Sequence, residues 1–589
     1  MKTALVAAAS LMLAACATAG GSMRIAQDQV RISEHRQDDD LLTAGLGASG
    51  LRAMQAPAFA DPAKPSAAEL RRRAIWSSWR GIADLSPSGG YGEWYGSLAD
   101  VPGREYSSLA WVAGALHPHR VLAQVPDAFD RGKRCLVVTV ASGSRGVYGA
   151  MAVGAAWGLP RGCAVVHTDK GAGSDYFDLD AGQGFELDGT LAKPGEQLLA
   201  FQPVDAGGQG IVTKHAHSGD NPEADWGVHT RQAAEFGLYA LSQAFPDAAP
   251  FTFDNTRVIA VGISNGGGAV LRAAELAGDW LDGVVAGEPN VYVDRHDSRP
   301  LYQYASEAVL LMPCALPALG LPSIAQAEMI CNALADAGVI EGADTAARQR
   351  SALARMHALG WSDDALRGGA SNVMFDVWRS ILITYAASYT RSAADAHPCG
   401  YRFAAGEAGK PRAANAIERA AWWPDGSGIA PGAGINIVEP EGGAAAGLAC
   451  LTRLWAGSSD ASQMLRESVS KTRAAPPRAG LPVIVVHGQS DGLIPLAFSS
   501  QPYIAAARAA GRADVRFWQV KRAQHFDAFL AMPQFSAQYV PLLPYVYAAL
   551  DRLDAHLDGK AALPADALID AKPRAQGQAL QAKDLAIPR

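Results

Sequence analysis

Six short, nearly continuous apolar runs limit how this chain can fold: Leu136–Val140, Ala164–His167, Val258–Val261, Gly283–Ala286, Pro482–Val486 and Val515–Val520. Each is too short for an ordinary helix and lacks the alternation of a strand wetted on one face. Each therefore reads as a strand of a parallel sheet buried on both sides, with helical crossovers in the longer stretches between. The fifth run follows the fourth only after nearly two hundred residues. Residues 295–475 in that gap read as Ala-rich helices broken by Pro and Gly, an insertion placed between two strands of one sheet and expected to act as a lid. A chain of 589 residues exceeds one ordinary core, which agrees with a domain carrying a large insertion. The organisation expected is an export signal (1–15), an irregular N-terminal region (16–120), the first part of an α/β core (121–294), the lid (295–475), the second part of the core (476–560) and a loose tail (561–589).

Gly262-Ile263-Ser264-Asn265-Gly266 stands between the strand ending at Val261 and a helical stretch from Gly267 to Leu276. That is the context of a nucleophile elbow, in which flanking glycines allow a strained turn that lifts the serine hydroxyl to the top of the sheet. The fold class expected is thus α/β, an α/β-hydrolase type mostly parallel sheet with a large helical lid insertion. A serine hydroxyl needs a base, and the chain order of this fold is Ser, acid, His. His525, in Arg522-Ala523-Gln524-His525-Phe526 just past the last strand, is the candidate base, whereas His556 sits inside an amphipathic helical pattern from Tyr539 to Leu557. Asp491, in His487-Gly488-Gln489-Ser490-Asp491-Gly492, leaves the carboxyl edge of a strand and is the candidate acid that orients the base, with Glu288 as its rival. Donors for the developing oxyanion are expected at Asn265, which follows the nucleophile, and in Ser142-Gly143-Ser144-Arg145-Gly146, with Ser144 the first choice and Gly143 the next. Arg145 and Lys170 both follow strands at the same edge and are candidates to meet a substrate carboxylate. Lys214-His215-Ala216-His217 with Asp220, Asp225 and His229 matches no fixed metal-ligand spacing and is expected to be a solvated loop. Neither a metal nor an organic cofactor is required by this chemistry.

A formal net charge of -7 without any basic run argues against nucleic acid as a partner and for an uncharged or small anionic substrate. The N-terminus carries Lys2 and then an apolar stretch from Thr3 to Ala15, too short to span a bilayer and typical of an export signal. Leu13-Ala14-Ala15-Cys16 resembles a bacterial lipoprotein cleavage site, so Cys16 is the candidate lipidation site; plain cleavage after Ala17-Thr18-Ala19 is the alternative. The protein is accordingly expected to be exported, either as an outer-membrane or periplasmic lipoprotein or in secreted form, with the membrane met only through that anchor. Six further cysteines remain, and export favours disulfides over metal sites. Cys135 and Cys163 open two runs expected to be neighbouring strands and form one candidate pair. The other four lie in the insertion, where Cys314–Cys331 with Cys399–Cys450 is the most local of three pairings.

These residues resemble the D-(-)-3-hydroxybutyrate oligomer hydrolases of poly(3-hydroxybutyrate) degradation. The resemblance covers most of the mature chain and rests on Asp39-Asp40-Leu41-Leu42-Thr43-Ala44-Gly45-Leu46-Gly47, Ser142-Gly143-Ser144-Arg145-Gly146, Thr168-Asp169-Lys170-Gly171, Lys214-His215-Ala216-His217-Ser218 with Asn221-Pro222-Glu223, and Ile263-Ser264-Asn265-Gly266-Gly267-Gly268. It implies that Ser264 is the family's nucleophile and that the substrate is a small ester oligomer of 3-hydroxybutyrate. Two other readings share parts of the pattern. Feruloyl esterases and tannases carry cysteines where Ile263 and Gln524 stand, and the stretch from His487 to Pro495 also resembles serine oligopeptidases.

Overall fold

The computed structural model describes residues 24–25, 30–205, 207–407 and 409–588. The export signal and Cys16 lie outside the described residues. One sheet of eleven strands dominates: β1 (Arg24–Ile25), β2 (Arg31–His35), β3 (Gly103–Trp111), β4 (His119–Pro126), β5 (Cys135–Val140), β6 (Ala164–Thr168), β7 (Arg257–Ile263), β8 (Gly283–Gly287), β9 (Val483–Gly488), β10 (Val515–Val520) and β11 (Ala567–Ile569). Its order is β1-β3-β4-β6-β5-β7-β8-β9-β10-β11, with β2 also paired to β3. All six apolar runs are strands of this sheet. From β6 to β11 every pairing is parallel, and β1 to β4 form an antiparallel flank. β5, β8 and β9 are buried along their whole length, because helices cover both faces. This is the α/β-hydrolase type of sheet.

The N-terminal region is not irregular. Helix α1 (Ala67–Arg80) starts at a capping box between Ser66 and Glu69, and its buried Arg71 pairs with Glu105 of β3 at 2.8 Å and Asp39 at 2.7 Å. Asp40 accepts from the backbone N–H of Leu42, Thr43 and Gly45, closing the turn that buries Leu41 and Leu42. The tail is not loose either. β11 adds a parallel strand to β10, Leu580 and Leu585 are buried, and buried Arg574 donates to Asp84 at 2.9 Å and to the Leu530 carbonyl at 2.7 Å.

The insertion is largely helical, and it also contributes strands. Arg402–Glu407, Lys410–Arg412 and Ile435–Val438 join Tyr176–Asp178 and Ile211–Thr213 of the core in a small five-stranded sheet. Further ties hold it down: Arg73 of α1 pairs with Asp425, Ser174 Oγ donates to the Trp423 carbonyl at 3.1 Å, and the Gly428 N–H donates to Tyr176 Oη at 3.2 Å. Gly428, at φ +78°, lies so close to the Ser144 carbonyl that any side chain there would collide with it. The three disulfides are Cys135–Cys163, the candidate pair, and Cys314–Cys331 with Cys399–Cys450, the most local of the three pairings open in the insertion. The first joins the neighbouring parallel strands β5 and β6, in register at Leu136 and Ala164. Among the described residues no helix is long and apolar enough to cross a membrane.

Candidate active site

Ser264 sits between β7 and helix α2 (Asn265–Ala274) with φ 57° and ψ -125°, a backbone conformation that a non-glycine residue holds only under constraint. The constraint is visible: Ser264 N–H donates to the Gly287 carbonyl, and its own carbonyl accepts from Gly268 N–H and Asn290 N–H, all at 3.0 Å. The surrounding glycines allow this approach. A Cβ at Gly266 would collide with the Val140 carbonyl and one at Gly268 with the Asn290 carbonyl.

His525, on the loop after β10, lies with Nε2 3.1 Å from Ser264 Oγ and Nδ1 2.8 Å from Asp491 Oδ2. The fully buried Asp491 projects from the carboxyl end of β9. Its Oδ1 accepts from Leu493 N–H at 2.9 Å and Ile494 N–H at 2.7 Å, and His487 Nε2 stands 3.2 Å from Oδ2. Burial alone would push this carboxyl up, but the charge and hydrogen bonds of His525 and His487 outweigh it and hold Asp491 well below the usual carboxylate range. An ionised Asp491 favours a proton on His525 Nδ1, and a ring that carries its proton there leaves Nε2 to accept from Ser264 Oγ–H. Glu288 also faces His525, at 3.8 Å from Nδ1, yet its buried Oε2 has no hydrogen-bond partner. Burial, then the charges of Asp491 and Asp527, push its carboxyl well above the usual range. Glu288, Asp491 and His525 are also the one group, among the described residues, whose ligand atoms converge within 4.8 Å as a metal site would require. Two of them already belong to the Ser264 hydrogen-bond chain.

These residues open into a cavity of about 200 Å³. Its walls are mostly apolar and come from distant parts of the chain: Ile82 near α1, Leu301, Ile381 and Ile429 of the insertion, and Leu542 and Leu543 near the C-terminus. Asn265 and Ser144 both line it, and the backbone N–H of each donates to no acceptor among the described residues. Arg145 lines it too. Its guanidinium rests against Gly81, and among the described residues it has no ion-pair partner; burial with no anion to offset it pushes its pKa down to about 10. Lys170 takes another position. It is fully buried and donates from Nζ to the Gly143 carbonyl at 2.6 Å, so it does not reach the cavity and instead holds the loop carrying Ser144. Asn265 Nδ2 reaches the same carbonyl at 3.3 Å and donates to Tyr385 Oη at 2.9 Å.

A sequence model described as 3HB-oligomer hydrolase (3HBOH) matches residues 22–588. The chain belongs to that family of hydrolases. A D-(-)-3-hydroxybutyrate oligomer hydrolase of Burkholderia vietnamiensis (strain G4 / LMG 22486) is 37% identical over 91% of this chain and 87% of its own. One of Paracidovorax citrulli (strain AAC00-1) is 35% identical over 97% and 94%. Among solved structures, feruloyl esterase B from Aspergillus oryzae aligns with 79% of this chain and 83% of its own, at 12% identity and a TM-score of 0.32. Candida antarctica lipase A in its closed state aligns with 82% and 85%, at 11% identity and a TM-score of 0.35.

Of the motifs that carry the likeness to the 3HB-oligomer hydrolases, Ser142–Gly146 and Ile263–Gly268 contribute to the lining of this cavity, and Lys170 and His215 of two others bond to the first of these; one of them lies elsewhere than sequence reasoning placed it. Lys214–His217 is a buried helical turn rather than a solvated loop. Within it His215 bridges Ser144 Oγ, at 2.5 Å from Nδ1, and Glu223 Oε1, at 2.7 Å from Nε2, a second Ser-His-carboxylate chain lying behind the loop that carries Ser144. Lys214 Nζ faces Asp169 at 3.5 Å and Asp175 at 3.7 Å. The other members of the supposed cluster diverge: Asp220 accepts from Leu116 N–H and His117 N–H, and His229 packs its ring on His119. The only early sign of this relay was the shared company of His215 and Glu223 with Ser144 among the family motifs.

Proposed function

We propose that this protein is a serine esterase that hydrolyses 3-hydroxybutyrate oligomers to 3-hydroxybutyrate in poly(3-hydroxybutyrate) degradation, through an acyl-enzyme on Ser264. The observation that carries this reading is the continuous chain Ser264–His525–Asp491 opening into a mostly apolar cavity. The names of the relatives supply the substrate class. His525 Nε2 takes the Ser264 proton as Oγ attacks the ester carbonyl, and Asp491 stabilises the imidazolium that results. The negative oxygen is met by the Asn265 and Ser144 N–H groups, a role for which their free donors suit them. The alcohol product leaves with the proton from His525, and water activated by the same ring frees the acyl group.

A cavity of about 200 Å³ accepts a flexible chain end but not a packed granule. Purified protein should therefore release monomer from soluble dimer and trimer, leave solid polymer almost untouched, and show no turnover of feruloyl esters or peptide anilides. Ser264→Ala should fold and lose activity by several orders of magnitude. Retention of more than about a tenth of turnover would be incompatible with the assignment.

A further inference from the structure

We propose that Arg145 binds the free carboxylate of the oligomer and so presents the ester bond nearest that end to Ser264. The proposal rests on the reading of the site as a 3-hydroxybutyrate oligomer hydrolase and adds a direction of attack to it. Buried arginines elsewhere in the fold have anions: Arg71 pairs with Glu105, Arg120 with Asp175 and Arg574 with Asp84. Arg145, half-buried, has none. It lines the catalytic cavity, and among the described residues no carboxylate lies within ion-pair distance of its guanidinium. Apart from His525, it is also the sole cationic side chain among the lining residues, because Lys170 is held by the Gly143 carbonyl. A half-buried guanidinium facing a mostly apolar cavity has no counter-charge to offset the water it has lost, and a planar carboxylate is the partner that its fork of donors fits.

The chemistry of the substrate turns this contact into a direction. A 3-hydroxybutyrate chain has one charge, on its free carboxylate, and that end belongs to the alcohol side of every ester bond in the chain. A carboxylate held by Arg145, one residue beyond the oxyanion loop residue Ser144, therefore places the leaving group and not the acyl group. In the terminal bond the carboxylate is only four covalent bonds from the scissile carbonyl carbon. Ser264 Oγ attacks that carbon, the bond to the terminal unit breaks, and the departing oxygen takes the proton held by His525. The unit released is 3-hydroxybutyrate. Water then splits the acyl-serine and generates a carboxylate at the new end of the shortened chain, ready for the next cycle.

The test is a trimer whose carboxyl-terminal unit is deuterated, followed by mass spectrometry at low conversion, as the free acid and as its methyl ester. With wild-type protein and the free acid, the first monomer should carry the label. Arg145→Gln should lower kcat/KM for the free acid about tenfold more than for the methyl ester, mostly through KM. Gly81→Ala supplies an independent variant that keeps the charge: its backbone φ of -78° suits alanine, but the new methyl would occupy the space of the guanidinium. It should shift the free-acid KM in the same direction. Unlabelled monomer appearing first, or equal losses on acid and methyl ester in both variants, would overturn the proposal while leaving the esterase reading intact. Failure of wild-type protein to cleave either trimer would overturn the esterase reading and this proposal together.

Discussion

Replacing Asp491 by Asn tests the division of labour between two buried carboxyl groups that both face His525. The new side chain fits the same space, and its carbonyl oxygen can still accept from Leu493 N–H and Ile494 N–H, as Oδ1 does now. Its amide then falls at the place of Oδ2, which today meets His525 Nδ1 at 2.8 Å and His487 Nε2 at 3.2 Å. Two donors cannot face each other there. His525 must move its proton to Nε2 to accept from the amide, and Nε2 then cannot take the proton of Ser264. Loss of the correct tautomer is worth about 10⁴ in kcat, or roughly 5.5 kcal/mol of barrier. Glu288→Gln removes no hydrogen bond to His525, because Oε2 stands 3.8 Å from Nδ1 and has no partner, so it should lower kcat by no more than about fivefold. The assay is kcat on a soluble trimer at pH 7, with circular dichroism to confirm folding. A larger loss in Glu288→Gln than in Asp491→Asn would transfer the orienting role to Glu288 and refute the argument.

His215→Phe should free Ser144 Oγ from its side-chain partner among the described residues and loosen the proposed oxyanion loop, lowering kcat by about tenfold or more with little change in KM, as steady-state kinetics would show. Burial pushes Asp527 from 3.8 up to about 7 despite two backbone donors, so ionisation disfavours the fold. The stability this group contributes is full below about pH 4 and is lost as pH rises towards 7, on the order of 4 kcal/mol. The Tm of Asp527→Asn relative to wild type should accordingly climb between pH 4 and 7, and a flat or falling difference would contradict the shift. For the N-terminus, mass spectrometry of the mature protein should find Cys16 as the first residue, carrying acyl chains; an unmodified start at Gly20 would indicate plain secretion.

The strands buried on both faces were legible in the sequence because their burial demands unbroken apolar runs. The triad candidates were legible because the elbow imposes its glycines and strand ends impose positions. β3 and β4 were not. They bury Glu105, His119, Arg120 and Gln124, polar residues that interrupt any apolar run and are satisfied by partners far along the chain, such as Arg71 for Glu105. The tail escaped notice for a related reason: β11 is three residues long, and its place is set by β10 rather than by its own composition. Spacing could not separate Arg145 from Lys170, two cations that follow neighbouring strands. Only the packed structure shows that one is held by a carbonyl and the other is not. The contact between Ser144 and His215 spans 71 residues and belongs to no local pattern.

The ties between the insertion and the core bear on how turnover responds to substrate supply. Arg73 with Asp425, a shared sheet and Gly428 pressed on the Ser144 loop tie the roof to the core over residues 402–438. Enzymes whose flap opens at an oil–water boundary accelerate when an ester passes its solubility limit, because the boundary stabilises the open form. Here the ties to the core oppose such an opening. Rate plotted against total ester should saturate smoothly through that limit, with no step at the onset of droplets, and the protein should behave as a scavenger of dissolved molecules.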